Sequence, residues 1–313
     1  GGRAWCIVAA LAGFSETGDV FCSTANNQHL VHMAIPNRYF EMVRGWHGVG
    51  SAGIEDHKRL HPIVADFRQM DWHGGFTAAA GCEVYTARSF PPEYWNRAVF
   101  VCEPTARLVH IDWLVPNGSG FIARDGWNLV ASTDPWFGPV DAKVGPDGAV
   151  WILDWYNYIV QHNPTPAGFK TGRGNAYETP LRDQTHGRIY RVVYDQPKSS
   201  DDAGGSKTRP QLPAARWDAT TPVRLADSLD NDNMWVRLMA QRLLIESGQK
   251  LDADFKKQLI LSSVAYCASD RGRRAAPFLG DEAAASNQLA RHERELGTQT
   301  YIHGLAAMHA LWT

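Results

Sequence analysis

The first 195 residues repeat one pattern of apolar and polar positions: an apolar run, a turn, and a second run in which apolar and polar residues alternate. The paired runs lie at residues 5–10 and 20–23, 82–86 and 98–102, and 140–144 and 149–153. Gly, Pro, Asp and Glu fill the turns, as is usual between antiparallel strands. The pattern predicts antiparallel β-structure throughout this half of the chain.

The spacing of the repeats predicts their architecture. Phe21, Phe100 and Trp151 occupy matching places and are separated by 79 and 51 residues, and the longer gap contains a His- and Gly-rich insertion at residues 44–71. A unit of about 50 residues fits a propeller blade of four antiparallel strands. We therefore expect residues 1–195 to form a partial β-propeller with too few blades to close a ring.

The second half of the chain changes pattern. Residues 196–221 begin with a polar stretch, Pro-Lys-Ser-Ser-Asp-Asp-Ala-Gly-Gly, that is typical of a linker. Beyond it, apolar residues recur at helical spacing at positions 236, 240, 243 and 244, at 255, 259, 260 and 264, and at 302, 305 and 306. The pattern predicts an all-α segment of HEAT-like helical repeats over residues 222–313.

Composition and charge exclude some functions. The formal net charge is -2, so the chain lacks the basic character typical of nucleic-acid binding, and no nucleic-acid partner is expected. The five cysteines include no CxxC pair and no CxxCH haem motif. No run of eighteen apolar residues occurs, so no transmembrane segment is expected in this fragment. The first residue is not Met, and both termini resemble cuts in a longer protein.

Strand alternation places the candidate functional residues. The loop that enters a blade and the loop between its second and third strands lie at the same end, because antiparallel strands reverse direction. That end collects His29, His73, Asp134, Trp136, Asp154, Trp155 and His162. The opposite end collects the turns at residues 16–19 and 145–148. The connection 156–186 is long enough to form a lid over the first end, which is a candidate binding site.

Each candidate has a functional and a structural interpretation. His73 can act as a general base, or it can bond within its own loop. Asp134 and Asp154 can contact Ca²⁺ or position a histidine, and Asp134 can instead form a turn before Pro135. His29 and His162 can contact a bound cofactor or brace their loops.

The two tryptophans have a similar pair of interpretations. Trp136 and Trp155 can stack on a planar cofactor or a sugar ring, or they can pack between blades. The metal, if one is bound, is not identified by these residues.

Several segments resemble the bacterial family of proposed membrane-bound dehydrogenases. They are His73-Gly-Gly-Phe-Thr-Ala, Val99-Phe-Val-Cys-Glu-Pro104, Ser132-Thr-Asp-Pro-Trp-Phe137, Gly145-Pro-Asp-Gly148, Asp154-Trp-Tyr156, Gly187-Arg-Ile-Tyr-Arg191 and, in the second half, Trp235-Val-Arg-Leu-Met-Ala-Gln-Arg-Leu-Leu244. The resemblance implies a six-bladed propeller related to quinoprotein sugar dehydrogenases, followed by HEAT repeats. It also implies pyrroloquinoline quinone (PQQ) with Ca²⁺, a histidine in the loop of His73, and a periplasmic or extracellular, membrane-associated location.

The resemblance implies an oxidoreductase that oxidises a sugar or polyol and passes electrons to a cytochrome c module. One feature departs from the family: the arginines expected before Gly145 are missing, so cofactor contacts come from Arg173 or Arg182, or no such quinone is bound. The alternatives are a non-catalytic scaffold that binds carbohydrate or a protein partner through its helical repeats, and a metal-dependent hydrolase or lyase that uses His73 and Asp154.

Overall fold

The computed structural model describes much of the predicted β half and one helix beyond it. The described residues are 12–25, 28–34, 38–39, 42–45, 52–66, 74–160, 165–173, 176–195, 225, 228–229 and 231–247. They form three antiparallel sheets and one α-helix.

The first and second sheets each have four strands in sequence order. The first comprises β1 (Ala12–Phe14), β2 (Val20–Cys22), β3 (Val31–His32) and β4 (Ala52–Gly53). The second comprises β5 (Ala80–Val84), β6 (Ala98–Glu103), β7 (Leu108–Asn117) and β8 (Gly120–Ala131). Every residue of β6 is buried, because this central strand packs against neighbours on both faces.

The third sheet has three strands in the order β11-β10-β9. They are β9 (Pro139–Val144), β10 (Val150–Asp154) and β11 (Arg188–Val192). The turn between β9 and β10 requires glycine at position 148, where φ is +73° and a Cβ atom would lie 2.1 Å from Oγ of Ser89. A short 3₁₀ helix at Pro92–Tyr94 precedes β6.

Two apolar clusters lie on the two faces of the second sheet. Side chains alternate along β6, so Phe100 and Cys102 pack with Ile152 of the third sheet. Val99 and Val101 face the other way and pack with Phe21 of the first sheet. The second sheet is therefore the middle layer, and both of its faces are buried.

Helix α1 (Met234–Ser247) is attached to the sheets through buried polar groups. The side-chain amide of Asn233 donates to the carbonyl of Gly145 at 2.8 Å, while its oxygen accepts the N–H of Trp235 at the start of the helix. Arg237 is fully buried and pairs with Glu16, a residue of the β1–β2 turn that is also buried. The helix thus packs at the end of the sheets that carries the turns at 16–19 and 145–148.

The structure confirms most of the predicted strands and corrects the fold class. The runs at 20–23, 82–86, 98–102, 140–144 and 149–153 overlap β2, β5, β6, β9 and β10, and the run at 5–10 lies outside the described residues. The prediction of a partial six-bladed β-propeller followed by HEAT-like repeats is wrong, because the described residues form two four-stranded sheets, one three-stranded sheet and a single α-helix in place of a helical repeat segment. Repeat spacing indicated antiparallel sheets but carried no information on how they are arranged.

The helical prediction failed for a related reason. The stripe that includes Ala240 and Leu244 packs against Leu225 and Leu229, so it builds one amphipathic helix in a small apolar cluster. A solenoid needs a second and a third stacked unit. The stripes beyond residue 250 and the predicted linker at 196–221 lie outside the described residues, and the domain boundaries stay a prediction. In the described part of the chain, no helix has the length and apolar character needed to span a membrane.

Candidate metal centre

Strand β7 carries a histidine and an aspartate on one face. Because side chains alternate along a strand, His110 and Asp112 project toward the first sheet together with Leu114, whereas Val109 and Ile111 enter the opposite cluster. Both polar side chains are fully buried. Buried ionisable groups need partners of opposite charge, hydrogen bonds or a metal ion.

Two further histidines reach Asp112 from other segments. His29 lies between β2 and β3, and its ring stacks on Phe76 with centroids 3.9 Å apart. His57 follows β4 on a segment that runs beside β8. Backbone hydrogen bonds fix that segment: the N–H of Ala123 donates to the carbonyl of Ile54 at 2.7 Å, and the N–H of Asp56 donates to the carbonyl of Ala123 at 3.0 Å. Three separate parts of the chain therefore converge at Asp112.

The four side chains form a compact group, which we call the Asp112 cluster: His29, His57, His110 and Asp112. Each offers one donor atom, and these four atoms lie within 4.8 Å of one another. Nε2 of His57 is 3.0 Å from Oδ1 of Asp112, and Nε2 of His29 is 3.1 Å from Oδ2. Nε2 of His110 is 3.6 Å from Oδ1. Within the cluster only the side chain of His57, at 9% exposure, reaches solvent.

Electrostatics favour the metal-binding protonation state at Asp112 and at His110, whereas at His57 burial lowers the pKa but Asp112 outweighs it, so that the charged imidazole is favoured. Burial by itself raises the pKa of Asp112, but the charge of His29, the hydrogen bonds from His29 and His57 and the nearby ring of His110 outweigh it and hold the pKa well below its usual range. Burial lowers the pKa of His110 despite its contact with Asp112. An ionised carboxylate and a neutral imidazole are the forms that coordinate a cation.

The cluster leaves buried nitrogen atoms without hydrogen bonds. Among the described residues, both ring nitrogens of His110 lack a hydrogen-bond partner, and so does Nδ1 of His29 and of His57. Buried polar atoms are nearly always satisfied, and exceptions often mark a bound ion or water. A cation bound by the Nε2 atoms beside Asp112 would give Nε2 of His110 a partner, and it would leave the three Nδ1 atoms unchanged.

The donor set fits a divalent transition metal. Zinc binds His nitrogen and Asp oxygen at about 2.0–2.2 Å with tetrahedral geometry, which places ligand atoms about 3.3 Å apart. The Nε2 atoms of His57, His29 and His110 lie 3.0, 3.4 and 3.6 Å from the same oxygen, Oδ1 of Asp112, close to that spacing. Three imidazoles and one carboxylate suit zinc and its neighbours in the first transition row, whereas Ca²⁺ prefers oxygen ligands only.

A second pair of histidine and aspartate adjoins the cluster. Nε2 of His61 is 2.7 Å from Oδ2 of Asp125, and Oδ1 of Asp125 is 4.0 Å from Nε2 of His110. The ring of His61 stacks on Trp127 with centroids 3.8 Å apart. Trp127 has a φ of +68° and lies in a β-bulge, where two residues of β8 stand opposite the single residue Ile111 of β7. Such bulges are frequent beside functional sites and re-aim a side chain.

A protein-family model matches residues 10–196, which is more than half of the chain. Its description is "Domain of unknown function (DUF7133)". The chain belongs to the DUF7133 family. All four residues of the Asp112 cluster lie inside the matched region. No curated protein and no solved structure matches the chain.

The candidate residues on the third sheet of this DUF7133 domain surround Arg188. Its guanidinium donates to Asp134 at 2.6 Å and also pairs with Asp154. The carboxylate of Asp134 also accepts a hydrogen bond from the backbone N–H of Trp136. The ring of Trp136 stacks on the ring of Tyr156, with centroids 5.2 Å apart. Arg188 therefore partners both carboxylates that the sequence assigned to Ca²⁺.

The predicted placement of these carboxylates is confirmed. Asp134 and Asp154 meet at one end of the third sheet, whereas Asp147 lies in the β9–β10 turn at the other end and pairs with Arg191. Trp155 is 40% exposed at the same end as Asp154. The roles proposed for these residues stay predictions.

The remaining candidates divide into three outcomes. His29 belongs to the Asp112 cluster between the first and second sheets, apart from the Arg188 group. His73 and His162 lie outside the described residues, so their proposed roles stay predictions. Arg182 donates to the carbonyls of Tyr177 and Ile159 within the long connection.

Sequence reasoning missed three of the four cluster residues. His110 and Asp112 stand two apart on an otherwise apolar strand, and that spacing alone places them on one buried face. His57 lies in the insertion at 44–71, whose histidine content was visible but whose path was not. Two polar residues at alternate positions of an apolar strand, as His110 and Asp112 are in β7, are the sequence signal for this buried site.

Proposed function

We propose that this DUF7133 domain binds one divalent first-row transition metal ion, with zinc as the reference metal, through the Asp112 cluster. The observation that carries the proposal is the convergence of four donor atoms, from three segments, within 4.8 Å in a buried position. A carboxylate and three imidazoles gathered in an apolar core are costly to bury unless they share a ligand.

The ion would join the first sheet to the second. His29 lies in the loop between β2 and β3 of the first sheet, and His57 lies in the segment after β4. His110 and Asp112 lie on β7 of the second sheet. A metal bound only by the folded chain adds its binding free energy to folding. Metal binding would therefore order residues 52–66 against β8 and stabilise the packing of the two sheets.

Oxidation of a sugar or polyol with PQQ and Ca²⁺ stays a prediction from the resemblance alone. The carboxylates expected at Ca²⁺ are both hydrogen-bonded to the guanidinium of Arg188, which gives them a positively charged partner other than a metal ion. The Asp112 cluster offers too few oxygen ligands for Ca²⁺. A carbohydrate-binding scaffold likewise stays a prediction, and neither alternative conflicts with a bound transition metal.

The test is metal content in matched variants. The full chain is produced in zinc-supplemented medium, dialysed against zinc-free buffer and analysed by plasma mass spectrometry. We expect stoichiometric zinc in the wild type, strongly reduced zinc in Asp112→Asn and His110→Gln, and wild-type content in the control His186→Ala, whose side chain is exposed and pairs with Asp183. Equal metal content in the wild type and in folded Asp112→Asn would contradict the proposal.

A further inference from the structure

An ion in the Asp112 cluster leaves one ring nitrogen of His29 in need of a partner. When Nε2 of a neutral imidazole binds a metal, the ring proton is on Nδ1, which is then a hydrogen-bond donor. Nδ1 of His29 is buried and makes no hydrogen bond within the described part of the chain. A metal-bound histidine almost always donates its other ring N–H to a carboxylate, a backbone carbonyl or water. The metal site therefore requires an acceptor beside Nδ1 of His29.

The pairing of β3 with β4 places Glu55 next to His29. Beyond the last paired residues of these strands, the N–H of Ile54 still donates to the carbonyl of Leu30 at 3.2 Å. One further step along the same register sets Glu55 opposite His29. Residues opposite each other on antiparallel strands project to the same face, with Cβ atoms about 4.5–5.5 Å apart.

The carboxyl group of Glu55 lacks a donor. Its Oε2 is buried and accepts no hydrogen bond from the described residues. Burial raises the pKa of this carboxyl group, and the charges of His29 and Asp112 both lie near enough to act on it. A Cβ atom on Gly53 would lie 3.0 Å from Oε2, so glycine at that position leaves room for the Glu55 side chain. The two strands thus bring a buried acceptor to the side of a buried donor.

The charge of the site favours the same residue. Three neutral imidazoles and one carboxylate leave a divalent ion with one uncompensated positive charge in a buried position. The carboxylate of Glu55 contributes negative charge on the side of His29. Asp125 contributes beside a different histidine, since its Oδ1 lies 4.0 Å from Nε2 of His110.

We propose, resting on the metal site above, that Glu55 is a positioning residue of the metal centre, whose carboxylate accepts the Nδ1–H of His29 while Nε2 of His29 binds the ion. Glu55 does not bind the ion itself, because it lies outside the group of four donor atoms that approach within 4.8 Å of one another. The hydrogen bond fixes the tautomer and the ring orientation of His29 and makes its Nε2 a stronger ligand.

The experiment measures the zinc affinity of full-chain variants by competition with a chromophoric chelator. Glu55→Gln should still bind zinc, with an affinity roughly 10- to 100-fold below that of the wild type, because the amide is a weaker acceptor and carries no charge. The control is Asp56→Asn, which removes the neighbouring exposed carboxylate. Its zinc affinity should be almost unchanged, because solvent screens an exposed charge.

A double-mutant cycle tests whether Glu55 acts through His29. In the His29→Ala background there is no ring to position, so adding Glu55→Gln should change the zinc affinity little. Proton NMR of the zinc-loaded chain gives a second measurement. The downfield ring N–H signal that is lost in His29→Ala should shift in Glu55→Gln and keep its position in Asp56→Asn.

Each other outcome has a defined meaning. Equal zinc affinity in the wild type and in folded Glu55→Gln would overturn the positioning role. An undiminished effect of Glu55→Gln in the His29→Ala background would overturn the pairing with His29. Loss of one oxygen neighbour from the zinc-edge X-ray absorption of Glu55→Gln would make Glu55 a ligand of the ion instead. Absence of zinc from the wild type would remove the proposed function itself.

Discussion

His57 and Asp112 are 55 residues apart in the sequence, yet Nε2 of the histidine lies 3.0 Å from Oδ1 of the aspartate. Burial disfavours the charged form of His57, but Asp112 outweighs it and raises the pKa of the imidazole. The pair connects the segment after β4 to β7 of the second sheet. A metal ion between them would connect the same two elements more strongly.

Metal removal is expected to destabilise the chain. With free zinc at about a thousand times its Kd, binding to the folded state alone contributes about 4 kcal/mol to the free energy of unfolding. Thermal unfolding followed by circular dichroism, with zinc and with a chelator, measures the difference. Asp112→Asn should lose most of the zinc-dependent increase in Tm, and an undiminished increase in that variant would place the stabilising ion elsewhere.

The buried pair of Arg237 and Glu16 is expected to hold helix α1 to the sheets. Burial by itself raises the pKa of Glu16, but Arg88 and Arg237 outweigh it and hold the pKa below its usual range, so the carboxylate is ionised. Arg237→Met leaves that charge with one fewer partner and should cost about 3–5 kcal/mol in urea unfolding.

The control for that variant is Arg242→Met on the same helix. Arg242 is exposed and pairs with Glu246 one turn away, and because solvent screens such a contact, its loss should leave the free energy of unfolding almost unchanged. Equal losses in the two variants would show that the Glu16 contact does not stabilise the docked helix.

Glu103 is expected to make stability depend on pH. Burial raises the pKa of its carboxyl group from 4.5 to about 7, despite the backbone N–H groups of Thr77, Ala78 and Thr105 that bind it. A folded pKa above the unfolded value means that this contribution is complete below pH 4.5 and is lost as the pH rises through about 7.

Urea unfolding of Glu103→Gln measures that contribution. The variant should be less stable by about 1–3 kcal/mol at pH 4.5, because its amide places an N–H opposite a backbone N–H. Its stability should also fall less than that of the wild type between pH 4.5 and pH 7. Parallel pH profiles for the two chains would show that Glu103 does not titrate in this range.

Two glycines with positive φ provide a matched test of packing at the β9–β10 turn. Gly148→Ala combines backbone strain with a Cβ atom 2.1 Å from Oγ of Ser89, whereas the Cβ atom of Gly168→Ala, at a similar φ of +87°, meets no atom of the described residues within 4 Å. We expect a loss of about 1 kcal/mol for Gly168→Ala and about 2 kcal/mol more for Gly148→Ala. Equal losses would show that Ser89 moves aside freely.

The sequence was sufficient to place strands but not to assemble them. Alternation at residues 98–102 and 149–153 is a local signal, so β6 and β10 were predicted within about two residues. How sheets are arranged depends on contacts between distant segments, which repeat spacing does not encode. For the same reason an apolar stripe at residues 236–244 predicted a helix and could not establish a solenoid.

The candidate site was predictable only where its geometry is local. The pairing of Asp134 with Asp154 follows from strand direction, and the structure brings both to Arg188. The Asp112 cluster instead depends on His29 and His57 approaching β7 from two connections, and no periodic pattern fixes those paths. His29 was selected as a candidate, but its partners could not be identified.

X-ray absorption at the zinc edge of the purified zinc-loaded chain is the most direct test of the metal centre. We expect nitrogen and oxygen neighbours at about 2.0–2.1 Å and the outer-shell scattering of three imidazole rings, with one imidazole contribution lost in His29→Ala. A spectrum with oxygen neighbours only, or with the same imidazole scattering in folded His29→Ala, would contradict binding by His29, His57, His110 and Asp112.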